Sequence, residues 1–206
     1  MTNFENRKPD TVNETTGFSR ERGFTMIEVM IVLVVVAILV TVAAPGFQNL
    51  IGNNRIISEV YTLRATLNNA RSEAMARRAQ VVVCPSVDGA ACADSDDWST
   101  GYIAFVDTDR DNVADPDDPD EEIIQVEAEE RAVDIAFNNA VRLVRFNAQG
   151  VALGFDGAFT FCDDRGAEDA RALIVNPVGT VRSARDTDTP EDYIVDDGAG
   201  DNVTCN

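Results

Sequence analysis

Histidine is absent from all 206 residues, and Lys8 is the single lysine in a chain with 17 basic and 36 acidic residues. Without histidine the chain lacks the commonest general base, the commonest metal ligand and every Ser-His or Cys-His pair that could activate a nucleophile. Ser86 and Ser95 therefore have no partner to deprotonate them. The adjacent acids Glu121-Glu122 and Asp163-Asp164 sit in polar stretches, where carboxylates are ordinarily solvated. Positive charge is also scarce. A formal net charge of −19 means that the surface as a whole repels nucleic acid and anionic lipid head groups. These absences point away from an enzyme. What is present, 45% apolar residues, suffices for a folded core.

Much of that apolar content lies in one run. Residues 24–44 read FTMIEVMIVLVVVAILVTVAA, with Glu28 as their one charge. As a helix they would span ~31 Å, about one bilayer core. A polar segment of 23 residues precedes them and ends Ser19-Arg20-Glu21-Arg22-Gly23. A secretory signal would be cut after the apolar run, next to small residues. Ala43-Ala44 imitates such a site, but Pro45 follows directly and disfavours cleavage there. A plain N-terminal membrane anchor is the simpler alternative. Glu28 argues for more than that, because a carboxylate in an apolar helix costs roughly 2.5 kcal/mol or more and persists where it finds a partner.

Beyond Pro45 a helical pattern resumes. Leu50, Ile57, Val60, Leu63, Leu67, Ala70 and Ala74 predict one apolar face, with Arg55–Glu59 and Glu73–Arg77 as exposed pairs four residues apart. Gly52-Asn53-Asn54 is a soft spot in this stretch. A helix over 24–79 would measure ~84 Å, so half of it must lie in a membrane or a fibre. From residue 81 the pattern changes to short strands broken by turn residues: Val81–Cys84, Tyr102–Val106, Ile123–Val126, Val133–Phe137, Arg142–Phe146, Ala158–Phe161, Ala172–Val175 and Thr180–Arg182. The expected class is α+β, one long N-terminal helix packed on a β-rich antiparallel head.

The four cysteines, Cys84, Cys92, Cys162 and Cys205, all fall in the head, and an even number in an exported domain argues for two disulfides. Three connectivities are open. Asp88-Gly89 is a turn signal between Cys84 and Cys92, which favours that local pair and leaves Cys162 with Cys205. A zinc site is the rival, weakened by the lack of histidine and of a Cys-x-x-Cys. In the window 107–118, Asp107, Asp109, Asp111, Asp115 and Asp118 stand at positions 1, 3, 5, 9 and 12, with the Val113 carbonyl at position 7. That is the ligand spacing of a calcium loop. Asn112 replaces the usual glycine, Asp118 is shorter than the usual glutamate, and the flanks read as strands. A solvated acidic hairpin loop is the competing reading.

Arg22-Gly23-Phe24-Thr25-Met26-Ile27-Glu28 resembles the cleavage and methylation motif of type IV pilins and the related pseudopilins. The resemblance implies a leader over residues 1–23, cut after Gly23 by a prepilin peptidase that also N-methylates Phe24. It implies a transmembrane and filament-core helix over 24–45, with Pro45 at a kink, and a periplasmic pilin-like head over 46–206. Glu28 becomes the fifth mature residue, placed to pair with the Phe24 amine of a neighbouring subunit and set axial register. The segments Asn68–Ala74, Val82–Ser86, Trp98–Phe105, Phe146–Gly150 and Asn176–Arg182 are similar to the GspH/FimT group within this family. Its members are minor pilins of type IV pili and pseudopilin H of type II secretion. The implied partners are other minor and major pilins or pseudopilins, the peptidase and the inner-membrane assembly platform. The implied role is a non-catalytic subunit of the pilus or pseudopilus. Some of the group bind DNA through a Gly-Arg-x-Arg motif. Here Gly179-Thr180-Val181-Arg182 lacks the first arginine, and Arg182 and Arg185 are followed by seven acids between Asp186 and Asp201, which oppose phosphate contact.

Overall fold

A computed structural model describes residues 23–115, 117–128 and 131–205, without the side chains of 42–45. The leader expected at 1–23 therefore lies outside the described residues except for Gly23. Helix α1 runs Met26–Arg77, and Pro45 falls within it. The chain divides after Pro45 into two compact units, each taken separately below.

In the first unit every described side chain from Phe24 to Thr41 is exposed. Valine, isoleucine, leucine and methionine cover all sides of the helix rather than one stripe, so nothing in this stretch singles out a face for a soluble core. By length and composition the helix can cross a membrane.

The second unit contains the rest of α1 and eight strands. They are β1 Gln80–Pro85, β2 Tyr102–Asp107, β3 Ile123–Glu127, β4 Asp134–Phe137, β5 Val144–Phe146, β6 Gly157–Cys162, β7 Arg171–Val175 and β8 Val181–Ser183. All eight fall within or beside the segments the sequence predicts. They form two four-stranded sheets, ordered β3-β2-β1-β5 and β4-β6-β7-β8, and every pairing is antiparallel. The α+β class is as the sequence reads it.

The main core joins the helix to both sheets. Ile56, Leu63, Leu67, Ala70 and Ala74 are buried against Val81, Val83, Tyr102, Ala104, Phe137, Phe159 and Leu173. Burying a leucine of this kind contributes roughly 1.5–3 kcal/mol. The buried ladder is 56, 60, 63, 67, 70 and 74, a strict alternation of four and three that keeps one face inward. The expected Ile57 and Leu50 are off that ladder, 40% and 55% exposed. Ile56 takes the place assigned to Ile57. Trp98 fills the space where the sheets meet, with its ring 4.7 Å from Phe159 and 5.9 Å from Phe137. Strand β2 is buried at all six positions, because a second cluster of Val82, Cys84, Ile103, Phe105 and Ala114 covers the other face of its sheet.

Other details depart from the sequence reading. Glu59 pairs with Arg131 at 2.6 Å rather than with Arg55, whereas Glu73–Arg77 forms at 2.7 Å as expected and Arg77 also reaches Glu122. Strand β5 starts two residues late. Arg142, at φ 59°, ends a turn and pairs with Asp94. The Gly52-Asn53 step is where the helix receives Arg165, whose Nη1 donates to Asn53 Oδ1 at 2.8 Å, and a Cβ on Gly52 would lie 2.9 Å from the guanidinium carbon.

Candidate functional site

Gly23, Phe24 and Thr25 precede the helix and take no regular structure. The Gly23–Phe24 bond thus lies in non-helical chain. Among the described residues no atom beyond its chain neighbours lies within 4 Å of the place a Gly23 Cβ would occupy, and Phe24 is 82% exposed. Glu28 has a local engagement that the sequence reading missed. Its backbone N–H donates to Thr25 Oγ1 at 3.2 Å, and the Thr25 N–H reaches back to Glu28 Oε2 at 3.5 Å. This is the reciprocal arrangement of a capping box, visible beforehand as Thr-x-x-Glu at the start of an apolar run. A carboxylate here also faces the positive end of the helix. Glu28 thus has a role within its own chain that does not require a neighbour.

Three of the segments similar to the GspH/FimT group converge in the head. Arg71, on the helix segment 68–74, donates from Nε to the Gly150 carbonyl at 2.9 Å and from Nη2 to the Val178 carbonyl at 3.2 Å. Gly150 closes the turn that begins at Asn147, and Val178 sits in the turn between β7 and β8. The Ala152 N–H also donates to the Pro177 carbonyl at 2.9 Å. Gly179, at φ 79°, packs so tightly here that a Cβ would fall 1.9 Å from the Gly150 carbonyl oxygen. These segments are a clamp between helix and turns.

The cysteines form Cys84–Cys92 and Cys162–Cys205. The local loop closes around Asp88, whose Oδ1 accepts the N–H groups of Ala90 and Ala91 at 2.9 and 3.0 Å, and these bonds hold its carboxyl below the usual range. Asp163 is not the solvated acid its polar surroundings suggest. It grips Arg165 through both oxygens at 2.7–3.0 Å, and that hydrogen-bonded pairing lowers its carboxyl below the usual range.

The acidic loop connects β2 to β3, and Asn112 takes a left-handed φ of 65°. The residues at positions 1, 3, 5, 9 and 12 do not gather as one set. Asp107 and Asp109 approach Glu121, which lies outside the twelve-residue window, and one carboxylate oxygen of each lies within 4.8 Å of the others. Asp111, Asp115 and Asp118 instead each accept the N–H two residues ahead, at 2.7, 2.9 and 2.9 Å. Asp107 is buried, but both its oxygens are engaged. Oδ1 accepts the Arg110 N–H at 2.7 Å, and Oδ2 accepts the Asn112 N–H at 3.2 Å and the Gln80 side chain. Glu121 accepts from Thr108 and Asp115, and its desolvation raises its carboxyl above the usual range. The loop is organised by its own backbone. Val113, the remaining candidate, is half exposed.

Arg182 and Arg185 are both exposed, and neither guanidinium makes a hydrogen bond or ion pair among the described residues. The acids from Asp186 onward adjoin them directly in sequence, so their local field is not positive.

Comparison with curated protein sequences gives no significant match. Among solved structures the chain is similar to the type IV minor pilin FimU of Pseudomonas aeruginosa in two crystal forms. The identities are 21% and 19% and the TM-scores 0.48 and 0.47, covering 63% and 61% of this chain and 88% and 90% of FimU. Comparison with protein families is more direct. Residues 18–44 match the prokaryotic N-terminal methylation motif, and residues 59–179 match the family described as type II transport protein GspH. That second match takes in Arg71, Gly150 and Gly179, the three sides of the clamp, and on it the chain belongs to the GspH family of pilin-like proteins.

Proposed function

We propose that this protein is a minor pilin, a structural and non-catalytic subunit that helps prime a type IV pilus or sits at its tip. The observation that carries the reading is the first unit. Within the matched methylation motif, the non-helical Gly23–Thr25 lead into an apolar helix bare on every described side chain to Thr41. Lipid covers such a surface before assembly, and neighbouring helices of the same kind cover it afterwards. On this reading the chain is anchored in the inner membrane with its head in the periplasm, where both disulfides persist. Its partners are the prepilin peptidase and other pilins. A second reading, pseudopilin H of a type II secretion system, is favoured by the description of the matched family. DNA uptake has only Arg182 and Arg185 in its support. Deleting the gene separates these readings: loss of surface pili with secretion intact supports the minor pilin, and the reverse supports the pseudopilin.

The role of Glu28 is tested in the same strain. Glutamine preserves the capping hydrogen bond but not the charge, and valine preserves neither. Glu28→Gln and Glu28→Val should both be inserted and processed to the chain of 206 − 23 = 183 residues that starts at Phe24. If the charge sets register, both should enter the fibre at least tenfold less than wild type, read by immunoblot of sheared pili. Normal incorporation of Glu28→Gln would assign Glu28 to the helix cap alone.

A further inference from the structure

The tail from Ala184 to Cys205 forms no helix or strand, and its only ladder contact is the isolated bridge between Asp196 and Asn202. It is held to the sheet by the Cys162–Cys205 disulfide and by Ile194, Val195 and Val203 packed near Ala170 and Ala172. One side chain within it is out of keeping with such a segment. Asp196 is 2% exposed. Its Oδ2 accepts the Thr187 N–H at 2.7 Å and the Thr187 hydroxyl, while its Oδ1 is buried with no hydrogen-bond partner among the described residues. A buried carboxylate oxygen left in this way is costly.

Hydrogen bonding within the tail brings two more acids to the same place. Asp186 accepts the Asp188 N–H at 3.0 Å and the Tyr193 N–H at 2.7 Å, which fold the chain back on itself. One carboxylate oxygen each from Asp186, Asp188 and Asp196 lies within 4.8 Å of the other two. Among the described residues no ion pair reaches any of the three, and the Asp188 carboxylate accepts no hydrogen bond. Three converging acids, one with an unspent buried oxygen, are unfavourable alone and favourable around a hard cation. Calcium binds oxygen at 2.3–2.6 Å, so its ligand oxygens stand up to about 5 Å apart, which suits this separation.

We infer that Asp186, Asp188 and Asp196 hold a calcium ion that orders the C-terminal tail of the head. The site lies outside the loop 107–118, where the one deeply buried acid, Asp107, already has partners for both oxygens.

The test uses the full processed chain in detergent, stripped with chelator and titrated with CaCl₂ by calorimetry and by thermal melting. Wild type should bind and melt at a higher temperature with the ion. Asp188→Asn is the informative variant, because its carboxylate supports no hydrogen bond and the substitution relieves repulsion. Without calcium it should melt at or above wild type. With calcium it should lose the added stability, its affinity at this site falling at least tenfold. Glu121→Gln should leave the response intact. No heat and no shift at millimolar calcium would overturn the inference, leaving water as the partner of Asp196 Oδ1. So would a response that survives in Asp188→Asn and vanishes in Glu121→Gln.

Discussion

Gly179→Ala isolates the close approach on which the clamp rests. Two penalties follow from the structure. The left-handed conformation at φ 79° costs an alanine roughly 1–2 kcal/mol. The added Cβ would also stand 1.9 Å from the carbonyl oxygen of Gly150 and 3.1 Å from Arg71 Nε, so one turn must withdraw from the other. That movement loosens the two bonds Arg71 donates to the Gly150 and Val178 carbonyls, and bonds to a charged donor are worth about 1.5–3 kcal/mol apiece. Because both are partly solvated, the pair together is taken as worth one such bond, and the total is about 2.5–5 kcal/mol. At about 2–4 °C per kcal/mol for a domain of this size, melting should fall by roughly 5–20 °C. Gly154→Ala is the internal control. Its φ is 81°, but among the described residues no atom beyond its chain neighbours lies within 4 Å of the place its Cβ would occupy, so only the conformational penalty applies and the fall should be about 2–8 °C. Circular dichroism melts of both variants in detergent decide the matter. Equal falls would refute the claim that Gly179 is required by its neighbour rather than by its backbone angle.

Two pH dependences follow from buried or paired groups. The Tyr102 phenol, fully buried in the core, is pushed up to about 12 by desolvation, against about 10 when unfolded. A raised value stabilises the fold below pH 10 and loses that contribution as pH climbs from 10 to 12, by about 2–3 kcal/mol. Tyr102→Phe should lack this alkaline decline in chemical unfolding. Asp163 works in the opposite direction: its carboxyl is depressed by Arg165, so its contribution is present above about pH 4 and disappears as pH falls through the lowered value. Asp163→Asn should melt lower at neutral pH and show a flatter acid limb. An unchanged acid limb would show that the pair adds nothing to stability.

The eight strands and the helix were legible because each announces itself locally, through alternation, turn residues or an apolar run. The inward face of the helix was less so. Ile56 and Ile57 are adjacent and equally apolar, and only the register against the sheets decides between them. Side-chain partners were the least legible. Glu59 has an attractive helical neighbour in Arg55, yet it finds Arg131, which is 72 residues away in sequence. The same limit applies to the acids. Spacing within 107–118 suggests a shared site, but local turns consume Asp111, Asp115 and Asp118, and Glu121 comes in from outside. Asp196 could not be singled out from its acidic neighbours, because burial of one aspartate in a polar tail depends on a disulfide partner 43 residues earlier than Cys205. Arg71, whose contacts lie 79 and 107 residues away, was likewise visible only as part of a familiar segment.

Within the head, the helix is tied to the surrounding loops at intervals along its length. Asn53 holds Arg165, Glu59 holds Arg131, Thr66 accepts from Gln125 at 2.9 Å, Arg71 holds two turns and Arg77 reaches Glu122. Tension applied along this helix from its Gly46 end would load those ties in shear, several at a time, together with the buried ladder from Ile56 to Ala74. A strand peeled from a sheet edge gives way one bond after another, whereas a helix anchored at spaced points must break many before it slides. Under the proposed function, this arrangement would keep the head in place on a fibre under tension.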